Sequence, residues 1–192
     1  MLFRSIQRGC FFNLAASILM RLPWIAPGRQ LTRFFGMCTF RAVVTDMSEI
    51  RPGNYVFLDA TACRLGIATL NDLSLGVVTT VVSVNDRYCI IDAGSKVLSS
   101  DAGPHGTGGG GFGSCFALGA AASSWSGGRQ VVRLSEEHGF IEHGGEPVPI
   151  GTRALVFPNH SCPVVNLADR LVVLEPGRNP VFWAVAARGR TT

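Results

Sequence analysis

His160 and Cys162 stand two residues apart in the stretch PNHSCP, residues 158–163. An imidazole nitrogen and a thiolate are both donors that borderline-soft Zn²⁺ accepts. On an extended segment residues i and i+2 point to the same side, so the pair would present both donors together. Pro158 and Pro163 flank it and lower the entropy of holding it in place. A closed structural zinc site takes four ligands. Two protein donors would leave positions for water or substrate, as a catalytic or substrate-binding metal requires. The other reading is a satisfied buried histidine beside an inert cysteine, and by spacing alone it is the commoner arrangement.

Other polar groups have narrower scope. Glu136, Glu137 and His138 form a cluster that reads as a solvated turn, or as outer groups orienting a metal ligand. Asp92 and Lys96 in DAGSK could pair to close a strand end. Lys96 is the only lysine of the chain. A Schiff-base lysine needs burial and a depressed pKa, and nothing around Lys96 in the sequence supplies either. The glycine-dense stretch GPHGTGGGGFGSC (103–115) is tempting as a phosphate cradle, but no G-K-[ST] follows and no strand-to-helix context is visible. It reads as a flexible surface insertion. Six cysteines occur without a C-x-x-C, which excludes a zinc-ribbon or thioredoxin-like motif. Apart from Cys162 they read as reduced, mostly buried thiols in a reducing compartment.

The elements that must position these groups are mainly β. Residues 54–60, 76–84 and 87–95 are short β-branched or aromatic runs, with the turn sequence VNDR (84–87) making a hairpin of the last two. Residues 61–73 suit a short helix or an irregular crossover. Further strands are expected in 129–143 (two, around Glu137–Gly139), 153–165, 170–176 and 180–190. Turn signals about every ten residues suit a small barrel or sandwich. Of the 17 basic residues, six arginines lie in 1–45 without an acid, and the remaining 11 face 13 acidic residues. The main body therefore lacks the basic footprint of a nucleic-acid binder. Residues 1–24 have a basic start and an apolar run of about ten residues, too short for the roughly 20 that a membrane span needs. They read as targeting-like or as an aberrant start.

Five motifs occur in one order: EIRPGNYVFLDA, IDAGSKVLSSD, LSEEHGFI, PNHSCPVVNLADRLVVL and PVFWAVAARGR. Together, from about residue 41 to 190, they resemble the C-terminal part of the D-threonine aldolase and D-serine dehydratase-like enzymes. The resemblance implies an alanine-racemase-type barrel followed by a β domain. It implies pyridoxal phosphate as cofactor, D-3-hydroxyamino acids as substrates, and either D-serine dehydration or D-threonine retro-aldol cleavage as the reaction. Family members hold a divalent metal near the cofactor through an H-x-C or H-x-D pair, which falls on His160 and Cys162. The cysteine form resembles the dehydratase side, where zinc is typical. RPGNYVF resembles a segment that brings an aromatic hydroxyl near the cofactor, which makes Tyr55 the cofactor-binding candidate. DAGSK resembles a structural signature of the β domain, so Lys96 is not the expected Schiff-base lysine.

The family's cofactor lysine and most of its barrel strands should precede residue 41, and residues 1–40 do not resemble them. The expectations are therefore a divergent basic segment at 1–40, the end of a barrel remnant at 41–75, and a β domain at 76–192. No catalytic residue is expected in this chain, and alone it should be inactive. The competing expectation is a non-catalytic metal-binding β domain that completes another subunit, as in a homodimer, with VFWAVAA buried at that symmetric contact or against a barrel. The expected compartment is the cytoplasm, or an organelle or the exterior if residues 1–24 are a targeting peptide.

Overall fold

The computed structural model describes residues 2–4, 30–32, 41–43, 54–103, 110–119 and 125–189. The chain divides into two units, Ile6–Val56 and the remainder, Met1–Ser5 with Phe57–Thr192. In the order of the chain the strands are β1 (Leu2–Arg4), β2 (Gln30–Thr32), β3 (Arg41–Val43), β4 (Leu75–Val84), β5 (Tyr88–Ile91) and β6 (Gly113–Ala117). They continue as β7 (Arg129–Leu134), β8 (Gly139–Glu142), β9 (Arg153–Pro158), β10 (Arg170–Leu174) and β11 (Val181–Ala184). Three short helices interrupt them: α1 (Ala60–Arg64), α2 (Ser95–Leu98) and α3 (Ser161–Leu167). Within the smaller unit the described elements are the antiparallel pair β2–β3 and a single 3-10 turn, Asn54–Val56.

The larger unit is a closed six-stranded antiparallel barrel in the order β4-β5-β8-β7-β6-β9, completed by pairing of β9 with β4. β4 makes closure possible because it serves two partners. Val77 to Thr80 pair with β9, and Val81, Ser83 and Val84 pair with β5 across a bulge between Val81 and Ser83. A bulge bends and twists a strand, which lets one chain turn a barrel corner. Closure leaves no barrel edge open to pair with another chain. Alternate residues point inward, and Val77, Val81, Cys89, Ile91, Cys115, Val131, Ile141 and Val156 fill the interior. The sheet continues past β4 through β1 and β10 to β11.

The β-rich expectation and the 84–87 hairpin agree with this architecture. Asn85 Oδ1 accepts from the backbone N–H groups of Arg87 and Tyr88 at 3.0 and 2.7 Å, the side-chain-mimicked turn that Asn favours. Three expected strands are corrected. Residues 54–60 form the 3-10 turn and the start of α1 instead. The run 87–95 stops pairing at Ile91, and α2 follows. The run 153–165 ends as a strand at Pro158, and α3 begins at Ser161. Pro163 is tolerated there because the third helical position needs no N–H partner.

The Asp92–Lys96 pair is also corrected. Asp92 Oδ1 accepts from Thr79 Oγ1 at 2.6 Å and from Thr80 N at 2.8 Å, locking the bulged strand, while Lys96 pairs with Glu137. Val181, Phe182 and Trp183, expected at a buried contact, are exposed here. Cys89 and Cys115 are buried free thiols as expected, Cys63 is half-buried, and Cys10 and Cys38 lie outside the described residues. So do residues 5–24, most of the 1–24 segment on which the targeting-like reading rests. Among the described residues no helix is long and apolar enough to cross a membrane.

Candidate functional site

The segment 159–162 is built on α1, 98 to 102 residues earlier in the chain. Asp59 is the N-cap of α1, and its Oδ1 accepts from Ala62 N at 3.2 Å. Its other oxygen accepts from Ser161 N, also at 3.2 Å. One buried carboxylate thus caps two helices, satisfying N–H groups that helix starts leave without partners. His160 occupies the N-cap position of α3, yet its side chain makes no capping bond. Asp59 performs that task from across the fold, and the imidazole is released to face outward.

Asn159 completes the scaffold. Its backbone carbonyl accepts from Thr61 Oγ1 at 2.6 Å, and its Oδ1 accepts from Arg64 Nη1 at 2.8 Å. Its Nδ2 donates to the carbonyls of Ala102 at 3.1 Å and Gly111 at 2.8 Å. Arg64 Nη2 donates to Thr61 Oγ1 at 2.8 Å, while its buried Nε has no acceptor. A fully satisfied buried amide specifies one arrangement, because any slip leaves polar groups unpaired.

Burial therefore alternates along the segment. Asn159 and Ser161 are fully buried, His160 is half-buried and Cys162 is exposed. His160 and Cys162 are both less buried than their neighbours Asn159 and Ser161, but the segment is not the extended strand on which the sequence would place them on one face. The backbone is entering a helix rather than running extended, with His160 at its N-cap and Cys162 in its first turn. The satisfied buried histidine exists elsewhere. His143 Nδ1 accepts from Gly145 N at 3.2 Å, so Nε2 carries the proton and donates to Asn85 O at 2.9 Å.

Asp101 is a third member that the sequence did not announce. Its Oδ2 lies 2.7 Å from His160 Nδ1, and its Oδ1 accepts from Gly103 N at 2.8 Å. The hydrogen bond with Cys162 pushes His160 up to about 9; burial opposes this, and the bond and charge of Asp101 add to it. The fold therefore favours protonated His160. Its stabilising contribution is complete below the ordinary value near 6.5 and is lost as pH rises through about 9. In chelator, the thermal midpoints of wild type and His160→Ala are expected to converge across that window. A gap independent of pH would contradict the assignment.

The donor set fits an open zinc site. Imidazole and thiol stand two residues apart at the start of α3, half-buried and exposed, and both are zinc donors. Among the described residues no group of three or more His, Cys, Asp or Glu could hold a metal. Covalent pyridoxal phosphate does not fit. Lys96 is exposed on α2, and its hydrogen bond to Glu137 raises its pKa above the ordinary lysine value, opposite to what a nucleophilic amine needs.

Glu136, Glu137 and His138 are not brought to His160. They form the β7–β8 turn, where the carbonyl of Glu136 accepts from Lys96 N at 3.2 Å. Tyr55 lies in the 3-10 turn of the smaller unit, and its side chain is outside the described residues. Residues 104–109 of the glycine stretch are likewise outside. Asp59, Thr61, Arg64, Asp101 and Asn159 were missed. For Asp59 a signal existed, since Asp before Ala-Thr-Ala is an N-cap pattern.

The family described as "Putative serine dehydratase domain" matches residues 74–174, which span the whole barrel and α3. The chain belongs to that family. An uncharacterised protein of Mycobacterium tuberculosis (strain ATCC 25618 / H37Rv) is 35% identical over 139 residues, covering 69% of this chain and 96% of that protein. D-threonine aldolase of Arthrobacter sp is 29% identical over 160 residues, 80% of this chain but only 38% of the enzyme. D-threo-3-hydroxyaspartate dehydratase of Delftia sp. (strain HT23) is 28% identical over 127 residues, 60% of this chain and 33% of the enzyme. Solved variants of that dehydratase replace a histidine and, two positions on, a cysteine, the second being a metal-free form. An alanine racemase-like protein from Idiomarina loihiensis superposes with a TM-score of 0.61 at 26% identity, over 73% of this chain and 39% of that structure. The chain thus spans about two fifths or less of the enzymes it matches, and nearly all of the short mycobacterial protein.

Proposed function

We propose that this chain is the metal-bearing β domain of a lyase acting on D-3-hydroxyamino acids, by D-serine dehydration or D-threonine retro-aldol cleavage, with His160 and Cys162 as protein ligands to zinc. The observation that carries this is the alternation at 159–162: two fully buried residues anchor the backbone, and the two soft donors alternate with them at half-buried and exposed positions. The paired histidine and cysteine of the Delftia dehydratase, at the same spacing, support it. Zinc bound there would act as a Lewis acid on the substrate β-hydroxyl, beside the electron-accepting pyridoxal phosphate of the family chemistry. This chain's own part is to fix the donor pair, through Asp59 and Asn159, and to leave coordination positions open. Tyr55 is proposed to reach the cofactor. With Lys96 unfit as an anchor, the cofactor lysine comes from sequence beyond these residues or from another polypeptide, and the isolated chain is proposed to be inactive and cytoplasmic.

A second reading is a non-catalytic metal-binding β domain that completes another subunit, in a homodimer or with a distinct partner. The exposed Val181, Phe182 and Trp183 of β11 favour it, as does a mycobacterial relative of little more than this domain. One experiment addresses both. The purified chain is incubated with pyridoxal phosphate and borohydride, and zinc is quantified on the same sample. Retained zinc without a trapped adduct is expected. An adduct on Lys96 would overturn the assignment of Lys96, and loss of all zinc on dialysis would overturn the metal assignment.

A further inference from the structure

Asp101 sits in a turn built with unusual care for a surface loop. It follows α2, whose C-cap Ser99 has φ 63° and ψ 159°, a conformation that non-glycine residues rarely adopt. Ser99 Oγ accepts from Asp101 N at 3.1 Å, and Asp101 Oδ1 accepts from Gly103 N at 2.8 Å. Gly103 has φ +90°, and a Cβ there would come within 2.8 Å of Thr61 Oγ1. The carbonyl of Ala102 accepts from the buried Asn159 amide. The turn is therefore wedged against the same scaffold that holds His160, and one carboxylate oxygen is spent keeping it there. The other lies 2.7 Å from His160 Nδ1.

We infer that Asp101 is the positioning residue of the His160–Cys162 site, holding Nδ1–H of the imidazole so that Nε2 is the metal-ligating atom. An ionised carboxylate only accepts, so in the neutral ring the proton lies on Nδ1 and the Nε2 lone pair is left for a ligand. A carboxylate behind a ligating histidine fixes the ring and raises its basicity. The inference rests on the metal reading above, and it assigns Asp101 a role outside the coordination sphere.

The test titrates cobalt(II) into the whole wild-type chain, Asp101→Asn and Asp101→Ala. Affinity is read by competition, and the thiolate-to-cobalt band and d–d bands report the coordination. Nitrogen NMR of the metal-free wild type, above the pH at which His160 titrates, reports the tautomer. The expected result is an Nδ1–H tautomer, affinity lowered about 10–100-fold in the alanine variant and less in the asparagine variant, and unchanged bands once cobalt is bound. Equal affinity in all three would reduce Asp101 to a surface ion pair and overturn the inference. Altered d–d bands would make it a direct ligand and overturn it too. Should Asp101→Ala fail to fold, the asparagine variant and the wild-type tautomer decide, an Nε2–H tautomer being fatal. No cobalt binding by wild type would defeat the metal reading itself; binding that both variants retain defeats only the role of Asp101.

Discussion

His160→Ala is expected to lower zinc affinity by more than about 100-fold while the barrel stays folded. That magnitude exceeds what losing an outer partner of a metal ligand costs, because a donor itself is removed. The fold should tolerate the change because the imidazole caps nothing: Asp59 satisfies the first N–H of α3, and Asn159 and Ser161 carry the buried contacts. Equilibrium dialysis with zinc analysis, beside circular dichroism, would decide. Zinc retained at wild-type affinity would place the metal away from PNHSCP. Cys162→Ala should behave alike, since the exposed thiol contributes little to the core.

Gly94→Ala is expected to destabilise the larger unit by about 4 kcal/mol or more, a large share of an ordinary domain's stability. A Cβ on Gly94 would lie 2.3 Å from the carbonyl oxygen of Glu136 and 2.5 Å from His138 N. Overpacked side chains typically cost about 1–3 kcal/mol because they can move aside. Here the obstacles are backbone. They belong to the turn whose carbonyls at Ser135 and Glu136 accept from Ser95 N and Lys96 N, at 2.8 and 3.2 Å. Separation would break those bonds and free α2, which packs on α3 and leads into Asp101. Urea unfolding would measure the change, and a loss under about 1 kcal/mol would show that the turn yields easily.

The barrel was legible because strands alternate. β5, β6, β8 and β9 each bury every second residue, and that period survives in the sequence whatever the partners are. The His160–Cys162 pair was legible for its chemistry and for the family motifs around it. The helical start beneath it was not, because Val164 and Val165 extend an apolar β-branched run past two prolines. α3 exists because a carboxylate 102 residues away caps it, and local propensity carries no trace of that. The same holds for Lys96, which spacing offered to Asp92 and strand pairing gave to Glu137. Asp101 carried a local signature only for its turn with Gly103; its contact with His160, 59 residues on, left none.

Asp59 also sets an order of events in time. A group that caps α1 and α3 at once cannot do so until chain segments 102 residues apart have met. Contacts of such separation form late, after the entropy of closing a long loop has been met. The donor pair thus comes into register only as folding finishes. Amide exchange at Ala62 and Ser161 should then proceed through one shared opening rather than two independent fraying events. A nascent or damaged chain, with its strands formed but that junction open, would leave His160 and Cys162 unplaced.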